Sequence, residues 1–178
     1  MRKLKLDELN RLSIEEYRIS KKLAITVVLD NIRSAMNVGS IFRTADAFAI
    51  EKIILCGITA TPPHREITKT AIGATESVEW EYEKEIVIAV NKLKSQNYTL
   101  IGVEQTSESK TLGSTIIQDE KIAIIFGNEV EGISDEILPL LDDCIEIPQF
   151  GTKHSLNVSV CAGIVLWEVA KTKLLNPQ

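Results

Sequence analysis

Apolar residues follow two spacings along this chain. Short unbroken runs at 24–29, 52–56, 98–103 and 121–126 are aliphatic and mostly β-branched. Strands that are apolar on both faces belong to a sheet covered on both sides, as parallel sheets usually are. A shorter run at 145–147 stops at Pro148, which cannot continue a ladder. Residues 78–82 predict a short edge strand. Helical spacing alternates with these runs. Over 38–49 it places Val38, Ile41, Phe42, Ala45 and Phe48 on one stripe, with Asn37 as the predicted cap and Arg43 off the stripe. Residues 85–94 and 134–141 predict two further helices. A last helix, starting at Ser155, stays apolar almost all round until Glu168. Its polar groups, Ser155, Asn157 and Ser159, sit only at its start. A helix apolar on every other side is buried there, so polar groups at its mouth mark a site.

Strands alternating with helices predict an α/β domain: a mostly parallel sheet with helices on both faces. Ligands of such sheets bind beyond the carboxyl ends of the strands. The loops at 30–37, 104–106, 127–132 and 148–154 each follow a strand, so they should converge at one end. The 57–77 stretch predicts a long loop, a length that inside a compact domain usually serves function. Residues 7–20 carry Leu9, Leu12 and Tyr17 among charges and predict a weakly amphipathic surface helix.

A chain of 178 residues fits one domain with a short appendage, placed here as a basic arm at 1–23 and a domain at 24–178. Hydrophobic residues at 44% and charged residues at 25% are ordinary for a soluble protein. No apolar run approaches the ~18 residues that span a bilayer, and the charged start lacks a signal-peptide core. The expected location is the cytoplasm. Cys56, Cys144 and Cys161 lie in apolar segments, as buried thiols do, and with His64 and His154 they make no zinc-like spacing. A net charge of −5 argues mildly against a polyanionic partner. The charge is uneven, however, with seven Lys and Arg in the first 22 residues and an acidic run at Glu79, Glu81, Glu83 and Glu85.

The loop from Gly127 to Gly132 follows a strand as a nucleotide loop would. It is no Walker loop, because no Lys-Ser/Thr pair follows its second glycine, and it lacks the G-x-G spacing of a dinucleotide fingerprint. A strand–helix turn that needs glycine for its dihedrals is the plainer account. Asn128 and Glu129, polar in an apolar neighbourhood, tilt the loop toward a site. Ser155 beside His154 has the residue types of a hydrolase but no nucleophile elbow around it, so the serine reads better as the cap of the last helix. Asn157 and Ser159 exceed what capping requires. A lone Arg43 on a helix face is most often solvated or ion-paired.

Three blocks taken in order are more specific. The runs at 37–45 (NVGSIFRTA), 126–132 (FGNEVEG) and 147–159 (IPQFGTKHSLNVS) resemble the three motifs of the SpoU/TrmH class of SPOUT RNA 2′-O-methyltransferases. The likeness spans about residues 24–172. The stretch at 101–106 (IGVEQT) is similar to eukaryotic tRNA guanosine 2′-O-methyltransferases of that class.

The resemblance implies a C-terminal trefoil knot, a homodimer, S-adenosylmethionine as methyl donor and RNA as substrate, with tRNA favoured. Ribosomal RNA methylation is one alternative, and a non-catalytic knotted RNA-binding protein is another. By similarity Arg43 acts on the ribose hydroxyl. A guanidinium is normally always charged, so it serves either as an unusual base or as a stabiliser of the developing alkoxide. Ser155 and Asn157 would orient Arg43 or the ribose, Asn37 would support the loop, and Glu129 would fix the arginine. Gly127, Asn128, Ile147 and Leu156 would hold the donor, largely through backbone groups. Glu104 stands at a donor-contacting position where relatives often carry a small hydroxyl residue. Recognition of RNA would fall to the dimer, the basic arm, and His64, Arg65 and Lys69 in the 57–77 stretch.

Overall fold

The unbroken apolar runs become the strands of one sheet. A computed structural model of the protein describes residues 1–114 and 119–175. The strands are β1 (Leu23–Asp30), β2 (Ile50–Cys56), β3 (Glu79–Glu83), β4 (Thr99–Val103), β5 (Lys110–Thr111), β6 (Ile122–Phe126) and β7 (Asp143–Glu146). They lie in the order β3-β2-β1-β6-β4-β7-β5, and every pairing is parallel. In the central register Val27 stands beside Ile53 and Ile124, and Val28 beside Ile54 and Ile125.

Successive side chains of a strand point to opposite faces, and here both faces are covered. On one face α2 (Ala35–Ala47), α3 (Arg65–Ala71), α4 (Ala74–Ser77) and α6 (Val158–Leu175) pack over Val27, Ile53 and Ile124. On the other, α5 (Ile86–Ser95) and the segment with Ile133 and Ile137 pack over Val28, Ile54 and Ile125. These central residues are buried completely or nearly so. Each such side chain contributes about 1.5–3 kcal/mol of transfer free energy, which is why β1 and β6 tolerate so little polarity.

Several expectations change at element ends. The 57–77 stretch is not one loop, because it folds into α3 and α4. His64 caps α3, its Nδ1 accepting from Glu66 N at 3.2 Å. No α-helix forms over 134–141; a single 3-10 turn at Leu138–Leu140 takes its place, with Pro139 inside it. Helix α2 begins earlier than its apolar stripe, capped by Ser34 rather than Asn37. Helix α6 starts at Val158, not Ser155. Its first N–H groups bond to Asn157 Oδ1, from Ser159 N at 2.9 Å and Val160 N at 3.4 Å. The predicted surface helix at 7–20 splits into a 3-10 turn (Leu6–Leu9) and α1 (Ile14–Ile19), broken near Asn10 at φ 47°.

The arm is anchored. Tyr17 Oη donates to Asp46 O at 3.0 Å, and Arg18 Nε donates to Glu76 O at 2.8 Å. Burial, with the nearby Asp46 charge, raises the Tyr17 hydroxyl pKa well above its ordinary value. All three cysteines are free thiols. Burial pushes Cys56 up to about 12 and Cys161 up to about 11, which favours the neutral thiol in both.

Candidate functional site

The carboxyl ends of β1, β4, β6 and β7 meet at one edge of the sheet, and their loops are tied to one another through side chains. Asp30, fully buried at the end of β1, accepts from Asn31 Nδ2 and from Ser134 N, each at 2.8 Å. The 127–132 loop closes on itself, with Asn128 N donating to Gly132 O at 2.8 Å and Gly132 N returning to Asn128 O at 3.0 Å. Two different constraints select its glycines. Gly132 has φ +75°, in the left-handed region, whereas a Cβ on Gly127 would lie 2.2 Å from the backbone of Gly132 and Ile133.

Asn128 and Glu104 clamp this loop from two sides. Asn128 Nδ2 donates to Asn31 O at 2.7 Å while its Oδ1 accepts from Val130 N at 2.8 Å. The Glu104 carboxylate accepts from Gln105 N at 2.8 Å and from Ile133 N at 3.0 Å. Glu104 is thus a brace between β4 and the loop as well as part of the cavity wall. A small hydroxyl residue could not reach both amides.

Glu129 belongs to the start of α2. Its carboxylate accepts from Arg33 N (2.9 Å), Ser34 N (3.1 Å) and Asn37 Nδ2 (3.0 Å). Partial burial alone would raise its pKa, but these hydrogen bonds outweigh it and hold the carboxyl below the usual carboxylate value. An anion at a helix N-terminus is also favoured by the helix dipole. Asn37 Oδ1 in turn accepts from Asn157 Nδ2 at 3.1 Å. One line of hydrogen bonds therefore joins Glu129, Asn37 and Asn157, one residue from each of the three sequence blocks.

A cavity of about 270 Å³ opens between these loops. Glu104, Gly127, Asn128, Ile147 and Leu156 all line it, as do Glu129 and Ser155. Asn37 and Asn157 are not part of its wall but support it through Glu129. The wall carries the carboxylates of Glu104, Glu129 and Glu146 and contains no Lys or Arg, so it favours a cation. The backbone groups of Ile147 and Leu156 make no hydrogen bond among the described residues. They are free to take up the donors and acceptors of a nucleoside.

Arg43 does not meet the expectation that Glu129 fixes it. It is exposed on the outer side of α2, away from the wall, and its guanidinium makes no hydrogen bond or ion pair among the described residues. Ser155 is likewise exposed and free of hydrogen bonds among the described residues; Asn157 does the capping assigned to it. Sequence reasoning missed Asp30, Ser34 and Glu146. Asp30 had one legible signal, a carboxylate closing a wholly apolar strand. Ser34 had the signal of a serine three residues before Asn37, a spacing that suits an N-cap. Glu146 had none, because its place on the wall depends on elements distant in sequence.

Fold and site together define a class: a parallel α/β protein whose strand-end loops form an acidic, backbone-lined pocket with a cluster of amide and carboxylate side chains beside it. Comparison with known proteins narrows the class. The model of the SpoU rRNA Methylase family matches residues 24–167, and the chain belongs to that family. It is 30% identical over 154 residues to mouse tRNA (guanosine(18)-2′-O)-methyltransferase TARBP1, covering 85% of this chain and 10% of the mouse protein. It is also 30% identical over 152 residues to the Neisseria meningitidis 23S rRNA (guanosine-2′-O-)-methyltransferase RlmB, covering 85% of this chain and 60% of that one. Among solved structures, the AdoMet-bound rRNA methyltransferase of Sinorhizobium meliloti superposes with a TM-score of 0.80 at 26% identity, over 88% of this chain and 59% of that one. The chain thus spans less than two thirds of the length of these relatives.

Proposed function

We propose that this protein transfers a methyl group from S-adenosylmethionine to a ribose 2′-hydroxyl of RNA, with tRNA, at a guanosine, as the substrate. The observation that carries this reading is one acidic cavity wall, free of Lys and Arg, lined by the second and third sequence blocks and tied to the first through the Asn37–Glu129 hydrogen bond. An acidic wall suits a sulfonium, and the unpaired backbone groups of Ile147 and Leu156 suit an adenosine. When bound, the donor supplies an electrophilic methyl carbon. The chain's part is to hold that methyl in line with the ribose oxygen, to keep water out and to handle the hydroxyl proton.

In this reading Gly127 and Asn128 keep the loop narrow against the adenosine, and Glu104 braces it. The Glu129–Asn37–Asn157 line fixes the start of α2 relative to the start of α6. Ser155, with no protein partner among the described residues, is free to bond the ribose. Arg43, equally unpartnered and away from the wall of its own chain, acts in this reading from the surface shared with a second copy, where it offsets the negative charge that grows on the ribose oxygen as its proton passes to water.

The same reading includes a homodimer. Val160, Ile164 and Trp167 form an exposed apolar stripe on α6, and Arg43 stands on the neighbouring helix. A second copy covering the stripe would bring Arg43 to the shared surface. The knot implied by the resemblance is supported by the insertion of β7 between β4 and β5 and the return of α6 to α2. We place the reaction in the cytoplasm, where the three thiols stay reduced. The relation to TARBP1 and the IGVEQT stretch favour tRNA over ribosomal RNA.

Transfer of labelled methyl from the donor to total tRNA, followed by mapping of ribose methylation, tests the proposal. Label in tRNA that falls at least about 100-fold in Arg43→Ala is expected. Label only in ribosomal RNA would move the substrate, and none in either RNA would sink the enzyme reading.

A further inference from the structure

The cations of this protein fall into two sets. Of the Lys and Arg beyond the arm, eight have an acceptor within the chain. Lys52, Lys84, Lys92, Lys110 and Lys171 pair with carboxylates. Lys94, Lys121 and Lys173 donate to backbone carbonyls. The other five, Arg33, Arg43, Arg65, Lys69 and Lys153, have none among the described residues, and all five are exposed.

These five are not scattered. Arg33 directly precedes the Ser34 cap of α2, and its backbone N–H is held by Glu129 on the cavity wall. Arg43 is on the outer side of that helix. Arg65 and Lys69 lie one turn apart on α3, which is pressed against α2. Thr70 Oγ1 donates to Met36 O at 3.1 Å, and a Cβ on Gly39 would come within 2.5 Å of Ile67 O. Lys153 belongs to the 148–154 loop, whose Gln149 and His154 line the cavity. Chance pairing would leave free cations on every surface. Beyond the arm, whose Lys3, Lys5, Arg11 and Lys21 are also without an ion pair among the described residues, the free cations border the cavity or the two helices beside it, in a chain of net charge −5.

We propose that Arg33, Arg65, Lys69 and Lys153 form a phosphate track that lays the RNA backbone from α3 across the start of α2 to the cavity mouth. The proposal rests on the RNA-methyltransferase reading and specifies how the substrate enters. Unpaired, solvated cations release counterions when they meet phosphates, so the contribution is electrostatic and falls with salt. Pairing them internally would cancel it, which explains why the acidic residues of this protein are spent elsewhere.

The test measures tRNA binding across a salt series for wild type, Arg65→Ala/Lys69→Ala, and Lys92→Ala as a paired-cation control. Donor affinity is followed by calorimetry and assembly by light scattering. The double variant should bind tRNA at least ~10-fold more weakly at 0.1 M salt, with a salt slope reduced by about 2. Donor affinity, oligomeric mass and the Lys92→Ala variant should match wild type. Unchanged affinity and slope in the double variant, with wild type still binding tRNA, would overturn the track alone. A changed oligomeric mass would also overturn it by reassigning the α3 surface to a subunit contact. Absence of RNA binding by wild type would instead strike the proposed function.

Discussion

Helices α5 and α6 cover opposite faces of one sheet, and they differ in what they do with their outer sides. Both bury an aliphatic stripe, Ile86, Ala89, Val90 and Leu93 in α5, and Val158, Ala162, Val165, Leu166 and Val169 in α6. The outer side of α5 is finished with Asn91, Lys92, Lys94 and Ser95; Lys92 pairs with Glu81 and Lys94 reaches Leu140 O. The outer side of α6 carries Val160, Ile164 and Trp167, exposed at 52%, 41% and 44%. Apart from a lone exposed Ile88, the first helix is finished within a single chain, whereas the second presents a three-residue apolar stripe that a single chain leaves wet. All of the candidate chemistry lies beside the second.

A charge placed on each outer side should separate the two most sharply. Ile164→Glu is expected to turn the proposed dimer into a monomer by light scattering, whereas Ile88→Glu on α5, also exposed, should leave the mass unchanged. Equal masses for wild type and Ile164→Glu would remove the pairing role of α6.

Helix starts give a smaller contrast. Asn157 caps α6 and ties it to Asn37, while Glu85 at the start of α5 makes no side-chain cap bond. Asn157→Ala should cost about 1–2 kcal/mol in urea unfolding, and Glu85→Ala no more than about 0.5 kcal/mol. Comparable losses would mean that the cap is not what holds the start of α6.

The smallest expected effect is on pH dependence. Glu129, on the α6 side, has a carboxyl held below 4.5 in the folded protein, so folding favours its ionised form. The stability it adds is fully present above the unfolded value and is lost as pH falls through the lowered folded value. The difference in stability between wild type and Glu129→Gln should therefore be flat from neutral pH down to about 4.5 and shrink below it. A difference that grows on acidification would refute the assignment.

Much of this was legible from residue order. Runs such as 24–29 and 121–126 are apolar on both faces, and only a doubly covered strand accepts that. The loop residues now on the cavity wall could be singled out because each followed a strand, and in parallel sheets strand ends share an edge. Element ends were less legible. Ser34 caps α2 three residues before Asn37, because the apolar stripe reports burial and not the first helical turn. The 134–141 segment has helical spacing but contains Pro139, and its buried Ile133 and Ile137 are held by the face opposite α6 without a helix. The short helices α3 and α4 were hidden in a polar stretch because their stability comes from packing on α2 rather than from their own composition.

Local order determined the class of fold, the strands, the apolar wrap of the last helix and the residue types gathered in the three blocks. Each of these depends on near neighbours in the chain, through side-chain period and backbone preference. Tertiary structure alone decided which polar groups meet. Glu129 reaches the start of α2 rather than Arg43, Glu104 spans to Ile133, and Asn157 reaches Asn37 across 120 positions. Such contacts are set by how the loops of separate strands are packed at one sheet edge, and no local spacing encodes that distance. The same packing left Arg43 and its fellow cations without partners among the described residues, open to whatever anion the protein meets.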